Sequence, residues 1–221
     1  MKYYAIIVGG GSGKRMQNSI PKQFLLLKNK PILMHTISVF ATSIFQPEII
    51  IVLHSDLHQY WKDLCIKYNF NIPHVLINGG EQRFHSVRNG LISIKEDGIV
   101  AIHDAVRPLV STKLISRLFE EAANNGNAIA AIKPSDSIRQ VISENESKIV
   151  NREELVLIQT PQTFKIEQLR LSYQQPYQIK FTDDASVVEE GGFKINLIEG
   201  ERNNIKITYP EDLELANLLI K

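Results

Sequence analysis

The chain has 221 residues, 43% of them apolar, which suits one domain with a sizeable core and is too short for several. Its 25 Lys and Arg stand against 24 Asp and Glu, so the net charge is only +1; no basic run is long enough for nucleic-acid binding, and any polyanion site must be local. A single cysteine, Cys65, excludes an intramolecular disulfide and a cysteine-based zinc site, and apolar runs such as Ile49-Ile50-Ile51-Val52-Leu53 are far too short to span a bilayer.

Met1-Lys2-Tyr3 opens a strand, not a signal peptide, so a cytoplasmic protein is expected. Tyr3 to Val8 reads as a buried strand and runs straight into Gly9-Gly10-Gly11-Ser12-Gly13-Lys14-Arg15. Further strands are expected over 48–53, 74–77, 99–102, 128–132 and 194–198. Helical patterns lie near 31–43, 55–69, 83–95, 111–125 and 182–190, and a last helix at 210–220 starts with Pro210, Glu211 and Asp212. Cys65 sits with Trp61, Leu64 and Tyr68 on a core-facing helix pattern. Continuous apolar strands separated by helices predict a parallel α/β sheet covered on both faces. One stretch breaks the alternation: residues 136–142 and 148–152 read as two strands around the polar turn 143–147, with few apolar positions. A two-stranded hairpin is marginal alone. It either packs on its own domain or reaches another subunit, and the pattern leaves both open.

In open α/β sheets ligands sit beyond the carboxyl ends of the strands. The residues after the first strand form a glycine loop whose backbone N–H groups can cradle phosphate, with Arg15 and Lys22 adding two cations. Two familiar phosphate loops fail by counting. A P-loop needs glycine where Val8 stands and Ser or Thr where Arg15 stands; a dinucleotide fingerprint needs a last glycine where Lys14 or Met16 falls. Gly79-Gly80-Glu81-Gln82-Arg83 with Ser86 follows the third strand, and His103-Asp104-Ala105-Val106-Arg107-Pro108 the fourth. Asp104, directly after a buried strand and near a polyphosphate loop, is the best magnesium candidate, because that ion takes few protein oxygens; alternatively it pairs with Arg107 or caps the next turn. His103 reads as structural, since a phosphate nucleophile needs no general base, and the other histidines show no metal-ligand spacing. Read alone, Arg152 and Lys206 are solvated cations, Thr160-Pro161-Gln162 is a turn, and Thr182-Asp183-Asp184-Ala185 is a helix N-cap.

Taken together these segments resemble one family. Gly11-x-Gly13-x-Arg15 with Pro21-Lys22-Gln23, Gly79-Gly80-x-x-Arg83-x-x-Ser86-Val87, His103 to Pro108, Gln159-Thr160-Pro161-Gln162-x-Phe164, Thr182 to Ser186, and Asn204-Ile205-Lys206-Ile207-Thr208-x-Pro210-Glu211-Asp212-Leu213 are similar, in order and spacing, to the 2-C-methyl-D-erythritol 4-phosphate cytidylyltransferases of isoprenoid biosynthesis. The resemblance implies a Rossmann-like fold, a single nucleotidyltransferase domain over 1–221 with 136–152 as a dimerisation arm, and transfer of CMP from CTP to a sugar-alcohol phosphate with Mg²⁺. It implies that Arg15 and Lys22 stabilise charge at the α-phosphate, that Arg152 and Lys206 position the acceptor beside Arg107, Ser137 and Thr160, and that Asp104 holds the metal. It also implies nucleotide binding by Gly10, Gly11, Gly13, Gly80, Glu81, Ser86 and Asp104, and a homodimer with exchanged arms.

The chain departs from the family pattern in places. Ser137 stands for threonine and keeps the hydroxyl, Gly9-Gly10 for Ala-Ala, and Glu81 for aspartate; Asn203 lies where some members carry an acid, which removes a second carboxylate for the metal. Ribitol-5-phosphate cytidylyltransferase is the rival reading, and Ala105 with Asp184-Ala185-Ser186 favours the methylerythritol enzyme. A catalytically silent nucleotide-binding regulator would have no need of Asp104, Arg152 and Lys206 together.

Overall fold

The computed structural model describes residues 1–10 and 20–220. Seven strands form the main sheet: β1 (Lys2–Val8), β4 (Glu48–Leu53), β5 (Val75–Asn78), β6 (Gly98–Asp104), β7 (Asn127–Ile132), β10 (Leu157–Lys165) and β11 (Leu197–Glu199). Their spatial order is β11-β7-β10-β6-β1-β4-β5. β1 pairs in parallel with both β4 and β6, while β10 runs antiparallel between β6 and β7. The sheet is therefore mostly parallel, with one reversed strand inside it. Two short strands, β2 (Leu26–Leu27) and β3 (Lys30–Pro31), form a separate ribbon.

The continuous apolar strands are what a sheet covered on both faces requires. Alternate residues of β1 face opposite layers. Ala5 and Ile7 join a core with α1 (Ile32–Ala41), α2 (His58–Lys67) and α4 (Thr112–Asn125). Tyr4 and Ile6 join a second core with α3 (Arg83–Ser93), α5 (Ile166–Ser172) and α6 (Asp184–Glu190). α4 shows the pattern most plainly: Leu114, Ile115, Leu118, Phe119 and Ala122 are buried at helical spacing, and Ser111 caps the start by accepting from the Leu114 N–H at 3.0 Å. The last helix, α7 (Pro210–Leu219), packs Ala216 into a third cluster with Leu27, Ile32, Val106 and Ile207. Cys65 packs half-buried on the α2 face, and burial pushes its thiol up to about 11. Among the described residues no helix is long and apolar enough to cross a membrane.

The residues singled out as a turn, Thr160-Pro161-Gln162, lie inside β10 instead. A proline argues against a central strand because it cannot donate to the ladder. Here the register against β7 shifts between Ile158 and Gln162, and Pro161 sits in that interruption. α5 and the β2–β3 ribbon also had no signal strong enough to be anticipated. The hairpin forms as expected, from β8 (Ile138–Ser143) and β9 (Glu146–Val150), which among the described residues pair only with each other. Val141, Ile142 and Ile149 on it are exposed.

Candidate active site

β1 and β6 end side by side, with Val8 paired to Asp104. The chain winds outward from β1 through β4 to β5 and then crosses back to β6, so the strand order reverses between β1 and β6. Ligands bind outside the carboxyl ends of the strands at such a point. A cleft of about 490 Å³ opens there, lined by residues from Val8, Gly9 and Gly10, from Lys22 and Gln23, from the loop Gly80 to Arg83 with Ser86, and by Asp104, Val106 and Lys206. A second cleft of about 240 Å³ adjoins it, lined by Arg107, Gln159, Thr160, Gln162, Thr182 and Asp183 among others. Arg83, Asp104 and Lys206 line both.

Local chemistry fixes each wall. Gln23 is buried and donates to the Gly9 carbonyl at 2.8 Å, which ties the short 3-10 turn carrying Lys22 to the start of the glycine loop. A Cβ at Gly9 would lie 2.7 Å from Leu53 Cδ2 and 3.2 Å from Ala105 Cβ, so Leu53 occupies the space that an alanine side chain would take here. A Cβ at Gly80 would lie 2.4 Å from His85 Cβ, so only glycine lets this loop fold down on α3. Ser86 lines the cleft, but its hydroxyl accepts from the Gly80 N–H at 3.0 Å and donates to the Gln82 carbonyl at 3.2 Å, shaping the loop.

Asp104 ends β6 with its side chain 11% exposed and three cations around it: Lys206 Nζ at 3.0 Å, Arg107 Nε at 3.3 Å and Arg83 Nε at 3.7 Å. Burial alone would raise its pKa, but Arg83, Lys206 and Arg107 together outweigh burial and hold the carboxyl well below the usual range. The pairing with Arg107 that the spacing allowed is therefore present. Lys206 is placed by its neighbour: Ile207 is fully buried and donates its N–H to the Val106 carbonyl at 2.9 Å. Behind it, buried Gln159 and Asn204 stitch the loop to β10, with Gln159 donating to Glu201 O at 2.9 Å and Asn204 donating to Thr160 O at 2.8 Å. Arg107 Nη1 donates to Asn204 O at 2.7 Å.

His103 is fully buried, and both ring nitrogens are engaged. Nε2 meets the Arg107 carbonyl at 3.1 Å and must donate; Nδ1, at 3.1 Å from Thr160 Oγ1, must then accept from that hydroxyl. Thr160 Oγ1 in turn accepts from the Asp104 N–H at 3.1 Å. Thr160 thus lines the second cleft while its one donor is spent on His103. Burial pushes His103 down to about 4 and keeps it neutral. The native state then binds fewer protons than the unfolded chain between pH ~6.5 and ~4, so stability should fall as pH drops through that window. Half-buried His35, also lowered by burial, adds in the same direction. Melting curves at pH 7 and pH 5 check this; the acid loss should shrink in His103→Gln, and an equal loss in both proteins would remove His103 as its source.

Arg15, Gly11 and Gly13 lie outside the described residues. Gly10, Lys22, Gly80, Glu81, Ser86, Asp104 and Lys206 come together around the first cleft, and Arg107 and Thr160 around the second. Arg152 and Ser137 line neither; Arg152 Nη1 donates to Ser135 O at 2.8 Å, at the foot of the hairpin. Arg83, Gln23, Gln159 and Asn204 stand within the motifs that carry the resemblance, but the sequence assigns none of them a role of its own. A cation directly after a strand and loop was the available signal for Arg83; nothing in the sequence marks a buried amide as a brace.

Charge and position decide the class. A cleft with more cations than carboxylates, at the reversal point of a doubly wound sheet, receives phosphate esters, and the molecule is a nucleotidyltransferase of the α/β type. The chain belongs to the IspD family, 2-C-methyl-D-erythritol 4-phosphate cytidylyltransferase, whose model matches residues 3–221. A protein of that name from Azobacteroides pseudotrichonymphae is 49% identical over 218 residues, 98% of each chain. Another from Phocaeicola vulgatus is 45% identical over 220 residues, 100% of each. The crystal structure of the Francisella tularensis protein of that name superposes with a TM-score of 0.84 at 33% identity, over 100% of both chains. The bifunctional IspDF of Campylobacter jejuni matches with a TM-score of 0.81 at 29% identity, covering 97% of this chain and 54% of that one. These names agree with the choice of methylerythritol over ribitol that Ala105 and Asp184-Ala185-Ser186 favoured.

Proposed function

We propose that the chain transfers CMP from CTP to 2-C-methyl-D-erythritol 4-phosphate, supplying 4-diphosphocytidyl-2-C-methyl-D-erythritol and pyrophosphate to isoprenoid precursor synthesis. The observation that carries the site assignment is the wall shared by the two clefts, where Asp104 and Lys206 border both. A nucleotide in the larger cleft and a phosphorylated sugar alcohol in the smaller one would meet at that wall. An acceptor phosphate oxygen forms a bond to the α-phosphorus, the bond from that phosphorus to the β-phosphate bridge oxygen breaks, and the electron pair leaves with pyrophosphate. The acceptor phosphate is largely ionised at neutral pH, so no side chain has to remove a proton. Catalysis then rests on placement and on cations.

In this reading Lys22, with Arg15, stabilises charge at the α-phosphate, and Gly10, Gly11, Gly13, Gly80 and Glu81 border the nucleotide. Lys206 and Arg107 hold the acceptor phosphate, and Thr160 sets the floor beneath it. Among the described residues no three His, Cys, Asp or Glu side chains group to hold a metal. Magnesium needs few protein oxygens beside phosphate and water, and Asp104, which borders both clefts, is the residue that would hold it. When bound, the ion would supply positive charge that offsets the charge of the triphosphate.

Arg152 and Ser137 belong to this reading through a second copy. Both line neither cleft of their own chain, while the hairpin between them exposes Val141, Ile142 and Ile149. An arm that embraces a twin subunit would cover those side chains and carry Arg152 and Ser137 to the twin's acceptor cleft.

Purified protein incubated with CTP, Mg²⁺ and each acceptor in turn should release pyrophosphate with methylerythritol phosphate far faster than with ribitol 5-phosphate. Equal rates, or none, would sink the substrate assignment.

A further inference from the structure

Of the three side chains on the wall between the clefts, Asp104 and Lys206 carry roles in the proposed function and Arg83 carries none. We propose that Arg83 is a further catalytic cation of this reaction, set against the transferring phosphate by two positioning residues, Asp184 and Tyr173, that lie behind the wall. The proposal rests on the cytidylyl-transfer reading and adds to it.

Arg83 opens α3 directly after the loop that borders the larger cleft. Its Nη2 donates to Asp184 Oδ2 at 2.6 Å. Asp184 is fully buried, and its other oxygen accepts from the Tyr173 hydroxyl at 2.6 Å. Tyr173 is itself buried and stacks on Phe84, the residue after Arg83, with ring centroids 4.7 Å apart. The guanidinium is therefore held from behind by a carboxylate whose own position is fixed by a hydroxyl and a ring stack. Its Nε stays 3.7 Å from Asp104 Oδ1, beyond hydrogen-bond range, and its side chain keeps 29% exposure.

A buried ion pair is weak evidence of stabilisation, because apolar residues of similar volume usually serve as well. What distinguishes this pair is where its other end lies. A guanidinium carries five donors in a rigid fork. Asp184 takes one end of the fork, and the rest stands at the wall both clefts share. Negative charge builds up there as the acceptor oxygen approaches the α-phosphorus. A cation already oriented at that spot costs no reorganisation at the moment of reaction. Without Asp184, Arg83 would collapse onto Asp104, the next carboxylate in reach, and leave the position that serves the transferring phosphate.

The test measures kcat and each substrate's KM separately by pyrophosphate release. Arg83→Gln should lower kcat by about 10² with much smaller changes in KM, as expected for a contact strengthened in the transition state. Arg83→Lys should recover part of the loss, since it restores the charge without the fork. Tyr173→Phe keeps the ring stack and removes only the hydroxyl; it should lower kcat by roughly fivefold alone and by nothing further in the Arg83→Gln background, because residues acting as a unit are not additive. Asp184→Asn is the harsher form of the same test, and because removing one partner of a buried pair is strongly destabilising, Tyr173→Phe decides. A folded Arg83→Gln protein with kcat within about threefold of wild type overturns the proposal. So does a Tyr173→Phe effect of equal size in both backgrounds. Wild-type protein that releases no pyrophosphate overturns the proposed function and this inference with it, whereas an active wild type with an indifferent Arg83→Gln overturns this inference alone.

Discussion

Asp104→Asn should lower kcat by about 10³, the upper end of what one preorganised electrostatic group supplies. The side chain pairs with Lys206 and Arg107 and lies 3.7 Å from Arg83 Nε, so its charge sets the positions of Lys206 and Arg107 beside the clefts. Asparagine keeps the shape and one acceptor oxygen but cancels the charge. Lys206 and Arg107 would then repel each other with nothing between them. The activity that remains should need more magnesium, because the carboxylate proposed to hold that ion is gone. Stability gives a separate reading. Burial opposes ionisation of Asp104, but Arg83, Lys206 and Arg107 outweigh it and depress its pKa. A depressed carboxyl contributes stability above its unfolded value of ~3.9 and loses it as pH falls through the lower folded value. The wild type should therefore lose stability below pH ~4 on this account, and Asp104→Asn should lack that part of the acid limb. That window lies below the one assigned to His103. A folded variant with kcat within about tenfold of wild type and an unchanged magnesium requirement would show that Asp104 neither organises the cations nor holds the metal.

The strands of the main sheet differ in how far the sequence shows them. β1, β4, β6 and β7 are runs of apolar residues buried on both faces, and such runs announce themselves. β10 does not: Thr160-Pro161-Gln162 reads as a turn, yet Gln159, Thr160, Gln162 and Thr163 are buried polar side chains. Thr163 Oγ1 finds no partner among the described residues, while the hydrogen bonds of Gln159, Thr160 and Gln162 go to Asp183, Glu201, Asn204 and the backbone of Asp104 and Ala185, all distant in the chain. Only three-dimensional placement satisfies them, so local pattern has nothing to say. The same holds for the site. Asp104 and the glycine loop follow from their position after strands, and Arg107 from its spacing to Asp104. Lys206 is different. It sits in a segment without regular structure, and its place depends on Ile207 being buried against Val106. Composition and spacing cannot supply that contact; the likeness of the whole motif to a known family did.

Arg152 gives the sharpest test of how the site is completed. It lies beyond the hairpin, bonded to Ser135 and paired with Glu153, and it borders neither cleft of its own chain. An acceptor site that needs Arg152 must then take it from another copy, and a two-fold dimer makes that exchange reciprocal. Arg152→Ala and Asp104→Asn proteins, each nearly inactive alone, should be unfolded and refolded together. With Arg152 acting in trans, one site of a mixed dimer combines an intact Asp104 with the partner's intact arginine, and the other site carries both defects. Random pairing makes about half of the dimers mixed, and half of their sites intact, so activity should recover to about a quarter of the wild-type value. With Arg152 acting inside its own chain, every site of the mixed dimer keeps one defect and no recovery occurs. Mixed dimers are verified by tagging the two variants differently and isolating the doubly tagged species. In that fraction the two models predict about half of wild-type activity against almost none, and a silent fraction would refute the exchanged arm. Deleting the hairpin tip would not separate them, because it removes the exposed Val141, Ile142 and Ile149 as well and so disturbs assembly and catalysis together.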